Sequence, residues 1–276
     1  MFDIKECTVR LARPEDRSDL IEISRYTWDG NDYLPRIIDL WISQPWFFVC
    51  EYQGKVIGCL KLSSFPDQVL WFEGLRVHKA FRGKGIAKLL NLHVSRFAVG
   101  LKKEDPRLSF EFCTYYKNIE SIGLTTSLGF KPVDGFYNME KRGVHRSLKP
   151  DFVTDYAEEI FAHYPLHLPL NWHAVHSNKE GLPYIREHAQ VFKTQNASYL
   201  VGSTGERCIT MLSPPHNKMQ EDLPYLQHFF GARKRINITL SSQFKPYLAL
   251  LKKLNFYFWD EEKETALNMI VFHLPS

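Results

Sequence analysis

The stretch Arg82-Gly83-Lys84-Gly85-Ile86-Ala87 joins a strand-like run to a helix-like run. Glycines on either side of Lys84 let the backbone turn without Cβ crowding. Amide hydrogens in such a turn and in the first helical turn lack helical partners, so they can converge on an anion. Arg82 and Lys84 add positive charge, and Ile86, Leu89 and Leu90 are spaced to bury the helix. The segment does not match GxxxxGK[ST], and its glycines do not match GxGxxG. A nucleoside triphosphate or dinucleotide therefore fits less well. The plain alternative is an ordinary strand-to-helix turn with solvated basic residues.

Carboxylates lie near this turn. Glu73 alternates with Trp71, Leu75 and Val77, which on a strand puts it on one face with large apolar groups. Such surroundings raise a carboxyl pKa and suit it to take a proton, directly or through water. An ion pair with Arg76 or another cation across the sheet is the structural alternative. Glu111, between Phe110 and Phe112, is a second candidate base. Backbone amides near Leu75 or Val77 are the local source of an oxyanion donor. His163, His167, His173 and His176 cluster in sequence, but Pro165 interrupts a helix there and no carboxylate-histidine motif accompanies them. No metal is expected.

Residues Val77 through Leu90, VHKAFRGKGIAKLL, resemble the signature segment of the GNAT superfamily of acyl-CoA N-acyltransferases, [Gln/Arg]-x-x-Gly-x-[Gly/Ala]. Here the pattern reads Arg82-x-x-Gly85-x-Ala87. The resemblance runs over about residues 7–141, including RLARPEDRSDLIEI and SLGFKP. It implies that Arg82, Gly83, Lys84, Gly85, Ile86 and Ala87 hold the pyrophosphate of acetyl-CoA. It also implies that the pantetheine pairs with the strand at Gly74 to Val77, involving Leu75, Arg76 and Val77, and that Asn118 contacts the coenzyme A arm. Helix capping is the alternative for Asn118.

GNDYLP at Gly30 to Pro35 and FEGLRV at Phe72 to Val77 are similar to the histidine N-acetyltransferase-like members, in which a free amino acid accepts the acetyl group. The early loop and helix resemble the acceptor wall. Asp29 or Asp32 could meet an ammonium, Tyr33 lies beside them, and Arg36 could meet a carboxylate; the alternative for each is a solvated helix or cap residue. Trp28 and Trp41 would supply aromatic walls or core. The chain departs from the family at Thr125, where many members place a tyrosine in LYxxxGF as general acid. Tyr115, Tyr116 or water must then protonate the thiolate, or it leaves unprotonated, since a thiol pKa of about 8.5 allows that.

The elements that must position these groups read as follows. A strand over 8–12 leads to a helix opened by Arg13-Pro14-Glu15-Asp16, and a second helix starts near Asp32. A hairpin covers 46–51 and 56–62, and a strand covers 69–77. A helix over 85–99 and a strand over 108–114 precede a helix over 119–128 that stops at Gly129, and a strand covers 136–141. The expected fold class is α+β, a GNAT-like mixed β-sheet flanked by helices. In the second half, strands are expected over 197–201, 208–212 and 236–240, with a helix over 223–230. Phe110 to Phe130 and Ile236 to Phe256 share the order strand, polar turn, helix, then Leu-Gly-Phe or Leu-Asn-Phe, over the same 21 residues. This points to a degenerate GNAT-like second copy without a counterpart of Arg82 to Ala87, hence one cofactor per chain. Residues 1–142 are expected as the acetyl-CoA-binding GNAT domain, 143–170 as a linker or connecting segment and 171–276 as a degenerate GNAT-like or substrate-shaping domain.

The chain has 276 residues, 44% of them hydrophobic, and a net charge of +4 without a basic block. That composition permits one large core or two moderate ones and argues against nucleic acid as partner. Five separated cysteines, the absence of a signal-like start and the absence of a long apolar run lead to the expectation of a cytoplasmic protein that does not engage a membrane. Oligomerisation stays open. The expected function is acetyl transfer from acetyl-CoA to the amine of a free amino acid or related small molecule. The alternatives are acetylation of a protein or peptide and acyl-CoA binding without catalysis.

Overall fold

The computed structural model describes residues 2–27, 30, 32–203, 208–233, 235–259 and 266–275. Its contacts divide the chain into two compact units. The first comprises Met1–Phe112, Glu120–Lys131 and His273–Ser276, and the second Cys113–Ile119 and Pro132–Phe272.

In the first unit, β1 (Thr8–Leu11), α1 (Arg17–Ser24) and α2 (Leu34–Ser43) precede the strands β2 (Phe47–Tyr52), β3 (Lys55–Ser64) and β4 (Val69–Val77). Next come α3 (Ile86–Glu104), the start of β5 (Ser109–Tyr115) and most of α4 (Ile119–Ser127). The strand order is β1-β2-β3-β4-β5, antiparallel except for the parallel pair β4–β5. The β2–β3 turn places Gln53 and Gly54 at φ +49° and +76°. Two successive left-handed residues match the right-handed twist of the flanking strands.

The sequence explains how helices cover this sheet. Asp16 accepts from the Arg13 amide at 2.8 Å and from the Arg10 guanidinium at 2.7 and 2.8 Å, which fixes the chain entering α1. Asp32 accepts from the Leu34 amide at 3.0 Å, and Pro35 follows in the first turn of α2, a position where a missing N–H costs nothing. Leu20, Ile23, Leu34, Ile38 and Trp41 from these helices bury against Phe47, Val49 and Cys59. α3 buries Ile86, Leu90, Val94 and Ala98 and places Phe97 5.3 Å from Phe48. It runs five residues past the expected Val99, ending at Glu104.

The register of β3 against β4 shifts. Lys61 faces Glu73 and Cys59 faces Arg76, so Leu60 stands against both Gly74 and Leu75. This is a β-bulge with its extra residue in β4. Because residues two apart share a strand face, Glu73 and Arg76 both join the face of Cys59 and Lys61. The expected alternation carrying Glu73, Leu75 and Val77 together ends at the bulge. Gly74 adopts φ +74°, and a Cβ there would lie 2.5 Å from Trp41.

The second unit contains β6 (Lys131–Arg142), β7 (Asp151–Val153), β10 (Ala189–Lys193), β11 (Ser198–Gly202), β12 (Ile209–Met211), β13 (Arg235–Ser241) and most of β14 (Met269–His273). Its strands run β14-β6-β13-β12-β11-β10-β7, with β12–β13 parallel. A separate hairpin pairs β8 (His167–Leu170) with β9 (His173–His176). Its helices are α5 (Leu182–His188), α6 (Met219–Gln227) and α7 (Leu248–Lys253). Tyr137, Met139, Tyr199, Ile238, Leu240, Leu251 and Phe256 are among its core.

Within residues 143–170, expected as a linker or connecting segment, lie β7, a 3-10 turn at Glu158–Phe161 and β8, and they count in the second unit. The histidine-bearing stretch is a hairpin instead of a broken helix, and its turn places Asn171 at φ +59°. The expected resemblance between halves has a local structural counterpart. β5 and β13 each precede a helix that closes on a left-handed residue, Gly129 at φ +95° and Asn255 at φ +62°. The next amide reaches back five residues in both cases, Phe130 to Thr125 O at 3.1 Å and Phe256 to Leu251 O at 3.0 Å. These are the long bonds of a Schellman cap. Among the described residues, no helix is long and apolar enough to cross a membrane.

The bulge yields a stability test. Gly74→Ala combines positive φ with a clash against Trp41, and is expected to cost about 2–4 kcal/mol. A lowered urea midpoint measures it, and an unchanged midpoint contradicts the bulge.

Candidate functional site

β4 leads into a 3-10 turn at Lys79–Phe81 and then into the glycine-bearing turn. Gly83 and Gly85 take φ +73° and +84°, and Gly85 is the N-cap of α3 with no side chain capping it. Alternating left-handed residues and an uncapped helix start leave N–H groups without side-chain caps or helical partners, the kind of backbone that can receive phosphate oxygens. Arg82, Gly83, Lys84 and Gly85 are exposed, while Ile86 is buried and anchors the helix. Arg82 serves partly as a strut, donating from Nε to Val77 O at 3.2 Å and from Nη2 to Tyr26 O at 2.8 Å. Lys84 Nζ lies 5.1 Å from the Phe81 ring centroid and 5.3 Å from that of Phe2. The turn thus offers backbone donors first and one aromatic-seated ammonium second.

The edge of β4 is also informative. Its pairs with β5 are Val69–Ser109, Leu70–Phe110 and Trp71–Glu111, whereas β4 itself continues to Val77. Beyond Trp71, through Leu75, Arg76 and Val77, the strand bulges and can present amides to an extended ligand.

The face created by the bulge is polar in the middle of an apolar layer. Arg76 binds Asp32 through Nε and Nη2, both at 2.8 Å, with side-chain exposures of 6% and 1%. The Arg76 guanidinium lies 4.7 Å from the Tyr33 ring centroid, and Tyr33 meets Trp41 edge-on at 6.1 Å. Glu73 accepts from Ser63 Oγ at 2.5 Å and stands across the strand pair from Lys61. Lys61 is buried and donates to Pro45 O at 2.9 Å and Leu62 O at 2.7 Å. Burial pulls its ammonium pKa down to about 8, against the opposing pull of Glu73.

Arg76 therefore pairs with Asp32. The alternative partner foreseen for Glu73 is taken, and the cation across the sheet from Glu73 is Lys61. Asp32 and Tyr33, foreseen as acceptor residues, sit with Arg76, whereas Arg36 is exposed on α2. Trp28 and Asp29 lie outside the described residues. Sequence reading missed Lys61 and Ser63. The signal was their spacing of two on β3 opposite Glu73, which only the register discloses.

Glu111 is buried, with His273 Nδ1 3.3 Å from its Oε1. Thr125 donates its hydroxyl to Ser121 O at 2.7 Å within α4, so this hydroxyl is committed to its helix. Tyr115 and Asn118 belong to the second unit. There Tyr115 lies 5.0 Å from the Tyr116 ring and 5.9 Å from that of Trp259, and Asn118 Nδ2 donates to Thr114 Oγ1 at 3.1 Å.

Residues 18–130 match the model of the acetyltransferase (GNAT) family. Over 98% of its length the chain superposes on all of a candidate acetyltransferase from Thermoplasma acidophilum, with a TM-score of 0.67 and 15% identity. The chain has the GNAT acetyltransferase fold. A GCN5-related N-acetyltransferase from Sphaerobacter thermophilus gives a TM-score of 0.61 at 12% identity, covering 97% of this chain and 95% of that one. In sequence, the GNAT-like chain is 30% identical to the histidine N-acetyltransferase of Xenopus tropicalis over 129 residues, 41% of this chain and 39% of that protein. It is 32% identical to an uncharacterized N-acetyltransferase of Chlorobaculum tepidum over 95 residues, 34% of this chain and 52% of that protein. The chain thus spans only 39% and 52% of these curated relatives' lengths.

The buried pair permits a direct test. Asp32→Ala leaves the Arg76 charge uncompensated, which is expected to cost about 3–5 kcal/mol. Urea denaturation reads this, and a midpoint equal to wild type contradicts the pairing.

Proposed function

We propose that the chain is an acetyl-CoA-dependent N-acetyltransferase whose acceptor is the amine of a free amino acid or a related small molecule. The observation that carries this reading is the placement of Glu73 on the bulged strand that runs directly into the uncapped turn at Gly83 to Ala87. A carboxylate and a phosphate-receiving turn are thereby joined by one short stretch of backbone. The partial likeness to a histidine N-acetyltransferase supports an amino-acid acceptor.

In this reading the amides of Gly83, Lys84, Gly85, Ile86 and Ala87 receive the pyrophosphate, with Lys84 and Arg82 adding positive charge. The strand at Leu75, Arg76 and Val77 orients the pantetheine and donates an N–H to the thioester oxygen as negative charge develops there. Glu73 takes a proton from the acceptor ammonium, directly or through water. The freed amine nitrogen bonds to the acetyl carbon, the carbon–sulfur bond breaks, and the nitrogen gives up its second proton to water as the amide forms. Thr125 cannot serve as the proton donor because its hydroxyl is bound within α4. The sulfur leaves as thiolate or takes a proton from water, consistent with a thiol pKa of about 8.5. Tyr33, against Arg76 of the fixed Asp32–Arg76 pair, and Arg36, exposed on α2, are assigned to the acceptor.

A thiol-release assay against free amino acids, simple amines and peptides tests the reading. Release with amino acids or small amines is expected. Activity on peptides alone, or acetyl-CoA binding without turnover, would contradict it. Glu73→Gln is expected to retain acetyl-CoA binding while turnover falls about 100-fold or more, and unchanged kinetics exclude Glu73 as the base. Gly85→Val, forced away from φ +84°, is expected to weaken acetyl-CoA binding about tenfold or more through loss of the turn's amide geometry. Calorimetric titration measures that, and an unaltered affinity argues against the turn as the anchor.

A further inference from the structure

Lys61 is 2% exposed in a layer of apolar side chains. Burying an ammonium is costly unless its charge is matched. Yet its hydrogen bonds go to two carbonyls, Pro45 O and Leu62 O, and to no carboxylate. A Met or Leu at this position would fill similar volume without that cost. The register supplies a reason, since Lys61 is the direct cross-strand partner of Glu73. Ser63, two residues further along the same face, donates to Glu73 Oε1 at 2.5 Å.

Other charged and titratable groups described near this face have contacts of their own. Arg76 on β4 shares its face, but both of its short bonds go to Asp32. Tyr33 lies under Arg76. On β3, Cys59 is buried beside the Arg76–Asp32 pair, and burial pushes its thiol up to about 12. Glu111, on β5, pairs with His273. Lys61 is the cation on this face whose charge no short carboxylate contact absorbs.

Resting on the reading of Glu73 as proton acceptor, we propose that Lys61 and Ser63 are its positioning residues. The lysine charge across the strand pair keeps the carboxylate ionised, and the serine hydroxyl fixes its rotation. The interaction is mutual. Glu73 raises the Lys61 pKa against burial, and a charge–charge coupling of this kind acts on both partners. Lys61, pulled down to about 8, carries its charge at lower pH and releases Glu73 as pH rises through that value. The arrangement therefore protects the base on the acid side, where an unaided carboxyl in apolar surroundings would be protonated.

The test is a carbon-13 NMR titration of the Glu73 carboxyl in the full chain, assigned by its disappearance in Glu73→Gln. It requires no turnover. In Lys61→Met the Glu73 midpoint is expected to rise by about one pH unit or more, and the acid limb of kcat/KM should move up with it. In Ser63→Ala the midpoint rises less, and kcat falls while KM holds. A folded Lys61→Met protein with the wild-type midpoint overturns the lysine's role. Should Lys61→Met fail to fold, Ser63→Ala decides, and wild-type values for both its midpoint and kcat overturn the proposal. Wild type that titrates as expected but acetylates nothing would contradict the proposed function and leave the coupling established. Activity with an unmoved midpoint in Lys61→Met would do the reverse.

Discussion

The candidate site depends on one extra residue in β4. Without the bulge at Gly74, a strand of period two would put Glu73 and Arg76 on opposite faces. With it, both face α2, and Arg76 reaches the Asp32 carboxylate that also holds the start of that helix. Glycine is needed there because φ is +74° and the Trp41 ring occupies the space of a Cβ. A backbone irregularity, a buried ion pair and a helix entry are therefore one device. The same device ends the regular β4 edge just where the chain turns toward Gly83 and Gly85.

Much of this was legible from residue order. β4 has the expected bounds, 69–77, α4 ends one residue earlier than expected, and β13 extends one residue further at each end. Hydrophobic periodicity and the two positive-φ residues, Gly129 and Asn255, are local signals that tertiary contacts did not override. The bulge was not legible, because FEGLRV alternates as a plain strand does. The partnership of Arg76 with Asp32 and of Glu73 with Lys61 depends on register, which no spacing along a single strand encodes. β7 to β10 were missed for a related reason. They are short strands among prolines, histidines and charges. The buried residues of β8, β9 and β10 arise from pairing more than from composition, and β7 buries none fully.

The second unit repeats the strand-helix-strand order of the first without a glycine-bearing turn like Gly83–Gly85. β12, a helix and a parallel β13 follow in the same order as β4, α3 and β5. The connection from β12 to α6 contains Pro214 and Pro215, and proline has no N–H to give. Where the first unit joins strand to helix with Gly83 and Gly85, the second removes two donors. The Schellman caps at Gly129 and Asn255 are shared by the two units even though the strand-to-helix turns that precede them differ.

The account assigns acetyl-CoA to the first unit's turn and denies the second unit a matching site. Calorimetric titration of the full chain with acetyl-CoA tests this most directly. The account predicts saturation at one molecule per chain. Two molecules per chain, or no binding, would contradict it.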